Sequence, residues 1–321
     1  MIHRKIRVRP LSLAGIAVCM IAPTLHAAAP AEIVIPGERI FPESLTSTSD
    51  GTVIIGSIGA ATIFRAAPGA ANATSWIQSP ADGQGVFGVF ADEKADTLWA
   101  CTGAFGTPGA PPPAPAALHA FDLQTGKHKA RYQVPTAGGF CNDIAIGPDG
   151  AAYATDTSNM ELLRLPKGGT QLEVWAGNGA FGPKGGVLDG VAVLGDRVLV
   201  NTLATSRLFN VPIGSDGKAG TVTEVTLDQP MQRPDGMRSH GKDGLLVAEG
   251  GSGGRLTHIA VHGDTGKLTV VKQGYPDGPV AVTVVGDTAY VLEGQLAARR
   301  APPAENAQPK PFRATAVSIK P

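Results

Sequence analysis

The chain has no excess of charge of either sign, since 27 lysine and arginine residues balance 27 aspartate and glutamate residues over 321 positions. A nucleic-acid-binding protein carries a basic surface, so this balance argues against that class. Beyond residue 29 the sequence also lacks an apolar run of about 18 residues, the length that a membrane-spanning helix needs. We therefore predict no nucleic-acid partner and no membrane span.

Long segments with the 3.6-residue periodicity of an amphipathic helix are missing as well. In their place the chain has 42 glycines and 26 prolines, about a fifth of all residues and well above average usage. Hydrophobic residues still make up 43% of the chain, which is enough for a full core and argues against disorder. Frequent turns between short strands account for this composition, and we predict an all-β protein.

The first 29 residues have the pattern of a secretory signal peptide. A basic segment precedes the apolar residues 11–21, and small residues provide a cleavage site after Ala27 or Ala29. The basic residues are Arg4, Lys5, Arg7 and Arg9. Cleavage would leave 23 basic and 27 acidic residues and a net charge of −4. We therefore expect residues 30–321 to form an exported, periplasmic protein.

One sequence unit recurs about every 45 residues. It opens on an acidic or amide residue, continues with alternating apolar residues to a turn that contains aspartate, and ends in a second apolar run. The clear copies run from Glu43 to Ile55, Asn142 to Ala154, Asp189 to Val200 and Asp235 to Val247. Weaker copies begin at Gly88 and Val280, and strand-like segments such as 117–122, 161–165 and 207–211 follow several copies.

Six copies with about four short strands in each are typical of a β-propeller. No single blade can bury both faces of its sheet, so the six copies must pack around one axis as one domain. Residues 33–35 near the start and 315–319 at the end are both strand-like. We predict that they pair in the last blade and close the ring, because closure removes a free sheet edge.

The residues that open the clear repeats should converge on the central channel. They are Glu43, Asn142, Asp189 and Asp235, and no lysine or arginine occupies an equivalent position. Burying three carboxylates without a cation costs several kcal/mol per ion, whereas a hard metal with oxygen ligands removes that cost. Ca²⁺ fits this donor set best. The alternative is that each residue caps its own turn.

The same segments resemble the four motif positions of the gluconolactonase family, which includes the senescence marker protein regucalcin. They are 42–44, 140–143, 188–190 and 234–237. The resemblance implies a six-bladed propeller that hydrolyses sugar lactones with one divalent cation, with Zn²⁺, Mn²⁺ and Mg²⁺ as alternatives to Ca²⁺. It further implies that Glu43, Asp189 and Asp235 bind the metal, that Asn142 binds metal or substrate, and that Asp235 is the general base.

Two positions depart from the family pattern. Asp189 stands where the family usually has asparagine, and the third carboxylate should tighten cation binding but weaken the polarisation of a substrate carbonyl. Phe140 stands where lactonases often have arginine, and it can offer a substrate only an apolar wall. This departure favours a less polar lactone or ester over a sugar lactone.

The ends of the second strands should border the same face of the ring. Glu249 and Glu293 follow apolar runs there, and they either orient the metal ligands from behind or are exposed strand ends. Cys101 and Cys141 fall near this face too. We expect them to be buried small residues, although a disulfide is geometrically possible and suits an oxidising compartment.

These features predict a metal-dependent hydrolase that acts on a lactone or a related ester, with a small-molecule substrate and a catalytic Asp235. The alternative is a non-catalytic periplasmic propeller whose cation only stabilises the ring, and fold alone cannot separate the two. The oligomeric state is open, with a monomer expected.

Overall fold

The computed structural model describes Met1 and residues 29–80, 84–104, 114–300 and 310–320. The expected signal peptide therefore lies almost entirely outside the described residues. Most of the proline-rich segments 103–115 and 297–312 also lie outside them. Strand β1 spans Glu32–Ile35. Blade one contains β2–β5, at Pro42–Ser47, Val53–Ser57, Thr62–Ala66 and Thr74–Gln78. Blade two contains β6–β9, at Gly85–Asp92, Thr97–Gly103, Ala117–Asp122 and His128–Gln133.

The other blades follow in chain order. Blade three contains β10–β13, at Cys141–Ile146, Ala152–Asp156, Glu161–Leu165 and Glu173–Ala176. Blade four contains β14–β17, at Leu188–Leu194, Arg197–Thr202, Arg207–Pro212 and Thr223–Glu224. Blade five contains β18–β22, at Thr226–Leu227, Pro234–His240, Gly244–Glu249, Arg255–His262 and Thr265–Gln273. Blade six contains β23–β25, at Pro279–Val285, Thr288–Glu293 and Phe312–Ser318, together with β1.

The described strands form six sheets, and each has the meander order of a propeller blade. The pairing is antiparallel throughout, except that the short β18 lies parallel to β22. All six predicted hairpins are present as the innermost two strands of their blades. The prediction of a six-bladed all-β propeller is therefore confirmed.

The predicted ring closure is also confirmed. β1 pairs with β25, with Glu32 opposite Thr315 and Ile35 opposite Phe312, so the first strand completes the last blade. Phe312 in turn packs edge-on against Phe41 of blade one, with 5.3 Å between ring centroids. The closure thus leaves blades six and one joined by a strand and by apolar packing.

The core lies between the blades, because each sheet is covered on both faces by its neighbours. Second strands such as β3 and β11 are buried along their whole length. Valine, isoleucine and leucine suit such strands since their branched side chains pack well on a pleated surface. Helical structure among the described residues is limited to α1 (Leu296–Arg300) and a 3₁₀ turn at Glu93–Ala95. Neither has the length or the hydrophobicity to cross a bilayer.

Cys101 of β7 and Cys141 of β10 form a disulfide, with 5.2 Å between their Cα atoms. The expectation of two unpaired cysteines was therefore wrong. The sulfurs meet because Cys101 lies near the end of a second strand and Cys141 begins the inner strand of the next blade. Both residues are fully buried, and the bond ties blades two and three together immediately before Asn142.

Replacing both cysteines with alanine should lower the free energy of unfolding. The disulfide spans 40 residues of sequence, and closing a loop of that size restricts the unfolded chain by about 4 kcal/mol in the chain-entropy description. We expect a loss of about 2–4 kcal/mol, measured by urea denaturation of the variant and the oxidised protein. A thiol count on the unfolded, unreduced protein provides the control, and free thiols at both positions would contradict the bond.

Candidate metal centre

All six innermost strands contain a β-bulge near their first residue, where the pairing with the second strand slips. A bulge adds a residue to one strand and re-aims its side chain. Each blade therefore contributes one residue at the same position of its repeat, and we call these six the ring residues. They are Glu43, Phe87, Asn142, Asp189, Asp235 and Val280.

The residue after each ring residue contacts the next blade. Gly88 and Gly190 have no room for a side chain there, because a Cβ would overlap the carbonyl oxygens of Asn142 and Asp235 respectively. Asp143, which follows Asn142, instead accepts a hydrogen bond from the Val191 amide at 3.1 Å. The bulges thus lock into one another around the channel, which fixes the ring residues relative to each other.

Two polar side chains on second strands brace this arrangement from outside. Thr155 Oγ1 donates to the Asp189 carbonyl oxygen at 2.8 Å and accepts from the Asp143 amide at 3.0 Å. Asn201 does the same one blade further, since its Nδ2 donates to the Asp235 carbonyl oxygen at 2.8 Å and its Oδ1 accepts from the Gly190 amide at 3.2 Å. Both residues position a carboxylate-bearing bulge.

Three of the ring residues bring their carboxylates together. Glu43, Asp189 and Asp235 each offer an oxygen within 4.8 Å of the others, and each side chain is at most 9% exposed. Oxygens on opposite sides of a Ca²⁺ ion, bound at 2.3–2.6 Å, are at most about 5 Å apart. The trio is therefore an acidic site whose size suits one divalent cation.

The electrostatics of the trio are unfavourable without such a cation. Burial raises the pKa of all three carboxyl groups well above the usual value. Neighbouring carboxylates raise the pKa further, Asp189 acting on Glu43, Asp235 on Asp189 and Glu43 on Asp235. Like charges this close disfavour each other's ionisation, so a bound cation would supply the missing compensation.

Asn142 completes the donor set. Its Nδ2 donates to Asp189 Oδ1 at 3.0 Å, while its Oδ1 is buried without a hydrogen-bond partner in the described structure. A buried amide oxygen without a partner costs about 1–3 kcal/mol. Hard divalent cations prefer oxygen ligands, such as carboxylate and amide oxygens. The unpartnered Oδ1 of Asn142 can therefore coordinate a cation beside the three carboxylates. The residues present thus fit a cation of this class.

Arg238 lies deeper in the channel and was not singled out from the sequence. Its Nη1 contacts both oxygens of Asp143 at 3.1 Å. Its Nη2 donates to the backbone carbonyl oxygens of Leu45 at 3.2 Å and Val89 at 3.1 Å. Arg238 therefore joins blades one, two, three and five across the axis. It pairs with Asp143 and also lowers the pKa of Glu43, although burial and the neighbouring carboxylates raise that pKa by more.

Phe140 lies beside the ring rather than in it. Its ring packs edge-on against Phe87, with 4.6 Å between centroids, and it lines a cavity of about 620 Å³ together with Val134, Ala116 and Ser158. Neither the carboxylate trio nor Asn142 lines this cavity, so the role of Phe140 as an apolar wall for a substrate stays a prediction.

Phe87 and Val280 make two of the six ring positions apolar. Val280 already opened its weak repeat copy, whereas the ring residue of blade two is Phe87 rather than the predicted Gly88.

Glu249 and Glu293 are not exposed strand ends, since they are 0% and 7% exposed. Glu249 forms an ion pair with Arg255 at 2.8 Å and accepts from Thr257 Oγ1 at 2.6 Å and from the Gln232 amide. Glu293 accepts from the Asp277 amide at 3.0 Å. These bonds hold loops of blades five and six, and none of them reaches Glu43, Asn142, Asp189 or Asp235.

In the presence of a chelator, the free energy of unfolding should fall as the pH rises from about 4 towards neutrality. Unfolded carboxyl groups lose their protons near pH 4, whereas the raised pKa of Glu43, Asp189 and Asp235 lets the folded protein keep its protons longer. The folded state then binds more protons, so stability decreases with pH. Melting temperatures across this range measure the effect.

The double variant Glu43→Gln, Asp189→Asn is the control for this titration, because the other carboxyl groups contribute equally to both proteins. The difference between the two melting curves should grow as the pH rises and shrink when Ca²⁺ is added. A difference in melting temperature that does not change with pH would contradict a raised pKa for the three carboxyl groups.

Comparison with solved structures finds the same fold at low sequence identity. A gluconolactonase from Xanthomonas campestris is 14% identical with a TM-score of 0.62, and the match covers 88% of this chain and 87% of that one. Regucalcin from Agrobacterium tumefaciens, a calcium-binding protein, is 13% identical with a TM-score of 0.57 and coverage of 90% and 97%. Virginiamycin B lyase from Staphylococcus aureus is 15% identical with a TM-score of 0.57 and coverage of 90% and 98%.

No family model and no curated protein sequence matches the chain. The lyase shows that this fold supports more than one reaction, so an activity must be argued from the site itself. The similarity read from the four motifs is confirmed at the level of the fold: the chain is a six-bladed propeller of the kind found in gluconolactonase and regucalcin.

Proposed function

We propose that the protein is a metal-dependent hydrolase that opens a lactone or cleaves a related ester in its central channel. The observation that carries this proposal is the buried trio of Glu43, Asp189 and Asp235 with the unpartnered amide oxygen of Asn142 beside it. Ca²⁺ is the ion that this donor set favours. Coordinated to these oxygens, a divalent cation polarises a carbonyl group and makes water more acidic.

Asp235 is the general base in this proposal. Its Oδ1 accepts a hydrogen bond from the Gly236 amide at 3.0 Å, which fixes the orientation of the carboxylate. Water adds to the carbonyl carbon as Asp235 accepts its proton, and the ester C–O bond breaks as Asp235 donates that proton to the leaving oxygen.

Two ring residues, Asn142 and Phe87, and the neighbouring Phe140 define the shape of the substrate. The Asn142 amide lies among the carboxylates and is the group that can orient the carbonyl oxygen. Phe140 and Phe87 offer an apolar surface on one side, so the part of the substrate that faces blades two and three carries no polar group that needs a partner. This arrangement favours a lactone or ester with an apolar portion.

The alternative is a propeller whose cation only stabilises the ring. The contacts of Arg238 argue against the need for such a cation, because Arg238 already joins four blades through the channel. We also propose that the protein is exported to the periplasm. The buried disulfide supports this location, since such bonds persist in oxidising compartments.

The test is hydrolysis of a panel of lactones and esters by protein that has been stripped of metal and resupplied with Ca²⁺, Zn²⁺, Mn²⁺ or Mg²⁺. Turnover that requires one of these ions supports the proposal and identifies the cation. Tight Ca²⁺ binding that raises the melting temperature without any turnover would move the function to the non-catalytic alternative.

A further inference from the structure

A second position of the repeat lies two residues before each ring residue, at or just before the first residue of each innermost strand. We call the six residues at this position the rim residues: Phe41, Gly85, Phe140, Val187, Arg233 and Gly278. All six lie in the described part of the chain, and Arg233 of blade five is the one charged residue among them. The rim is therefore apolar at blades one, three and four and cationic at blade five.

The backbone holds Arg233 in a fixed orientation. Its φ angle is +54°, a left-handed conformation that it shares with Phe41 at +43° and Val187 at +60°. The Arg233 amide donates to Ser206 Oγ at 3.0 Å, and its carbonyl oxygen accepts from the Gly250 amide at 3.0 Å. A non-glycine residue adopts this conformation only where its surroundings enforce it.

The side chain of Arg233, by contrast, has no structural task. It is exposed, and within the described residues its guanidinium makes no hydrogen bond or ion pair. The other arginine near the axis, Arg238, is buried, and both of its Nη atoms are bonded to Asp143 or to backbone oxygens. Arg233 is thus an exposed cation, two residues before Asp235, that is free to bind a ligand.

The charge of Arg233 reaches the candidate metal centre. Arg233 stands two residues before Asp235, which is one of the three clustered carboxylates. A positive charge beside the trio repels a metal ion, so Arg233 does not assist metal binding. Three carboxylates and one divalent cation leave a net charge of −1, which repels an anionic ligand unless a positive group offsets it.

We infer that Arg233 is a specificity-determining residue that binds a carboxylate of the substrate, so that the preferred substrate is an anionic lactone or ester with an apolar portion. The inference rests on the proposed function and names its substrate class. A guanidinium binds a carboxylate through two parallel hydrogen bonds, which fixes the orientation of the ligand as well as its charge. The apolar portion then faces Phe140 and Phe87, on the other side of the channel mouth.

A matched pair of substrates tests this inference: γ-carboxy-γ-butyrolactone and the corresponding carboxamide, which share ring and size but differ in charge. The wild-type protein should prefer the carboxylate in kcat/KM, and Arg233→Met should reduce that preference by about 10-fold or more, as expected for one charge-assisted contact. Arg233→Lys should retain part of the preference, because lysine keeps the positive charge but cannot form the two parallel hydrogen bonds of a guanidinium.

Lys242→Met is the control, since it removes one exposed positive charge from the turn at the opposite end of the same β19–β20 hairpin. It should leave the ratio between the two substrates unchanged. An equal loss in Lys242→Met, or an unchanged ratio in Arg233→Met while the carboxamide is still hydrolysed, would overturn the role of Arg233 without touching the proposed function.

A binding measurement covers the case in which neither lactone is hydrolysed, which would count against the proposed function. Calorimetric titration of α-hydroxyglutarate, the ring-opened product, into Ca²⁺-loaded protein should show a dissociation constant about 10-fold weaker in Arg233→Met than in Lys242→Met. Equal affinities, or no binding by the wild-type protein, would refute anion binding by Arg233.

Discussion

Asp235→Asn should lower kcat for lactone or ester hydrolysis by about 10²–10⁴-fold, the usual contribution of a positioned general base. The substitution keeps the size of the side chain and an oxygen at the position that accepts the Gly236 amide. It removes only the ability to take a proton, together with one negative charge of the trio. The measurement is kcat at saturating substrate and saturating metal, so that weaker metal binding does not contribute.

Asp189→Asn is the matched control, because it removes the same charge from the same buried trio. Asp189 accepts from Asn142 Nδ2 at 3.0 Å, and an asparagine side-chain oxygen can accept the same bond. The variant should bind the cation more weakly, since one carboxylate ligand is lost. Its kcat should be equal to or higher than that of the wild type, because a less negative site polarises a carbonyl more strongly.

The two variants together separate catalysis from charge. Similar losses of kcat in both would show that the charge of the trio, and not a base at Asp235, limits the reaction. Full activity in metal-loaded Asp235→Asn would remove Asp235 from the base role. Differential scanning calorimetry with and without Ca²⁺ establishes for each variant that the metal is bound and the ring intact.

The fold was predictable because every blade repeats the same local pattern. The interval of seven or eight residues from the opening residue to the turn aspartate, as from Glu43 to Asp50 and from Asp235 to Asp243, matches an inner strand and its turn. Glu43, Asn142, Asp189 and Asp235 all occupy the first position of their repeats. Residues at the same position of repeats in a closed ring lie at the same distance from its axis, so their convergence could be predicted without tertiary information.

The role of Arg238 and the burial of Glu249 were missed, because neither follows from a repeated sequence position. Arg238 lies inside a strand whose neighbours are buried, and its partners come from blades one, two and three, far away in the sequence. Glu249 does end β20, but the expectation that it is exposed was wrong, because its partner Arg255 lies on the third strand of the blade. Pairings across strands and blades depend on register, which a repeat pattern alone does not determine.

Arg238→Met should reduce the free energy of unfolding by about 3–5 kcal/mol, which is typical of breaking a buried ion pair from one side. The Arg238 and Asp143 side chains are 11% and 6% exposed, so the substitution leaves a buried carboxylate without its cation. It also leaves the carbonyl oxygens of Leu45 and Val89 without this donor. Methionine matches the arginine stem in length, which limits the loss of packing.

A double-mutant cycle with Asp143→Asn separates the ion pair from the role of Arg238 in joining the blades. If the main cost in Arg238→Met is the unpaired charge of Asp143, the double variant should recover stability relative to Arg238→Met. An asparagine side chain at this position can still accept from the Val191 amide, which Asp143 now does at 3.1 Å. The recovery is measured as the difference in unfolding free energy from urea denaturation at neutral pH.

The part of the loss that the double variant does not recover is the contribution of the bonds to blades one and two. Those bonds act below the metal centre, so this residual loss should be the same with and without Ca²⁺. A residual loss that disappears when Ca²⁺ is bound would mean that the cation and Arg238 hold the same blades together. The non-catalytic alternative would then gain support, because the ion would be serving the ring rather than a reaction.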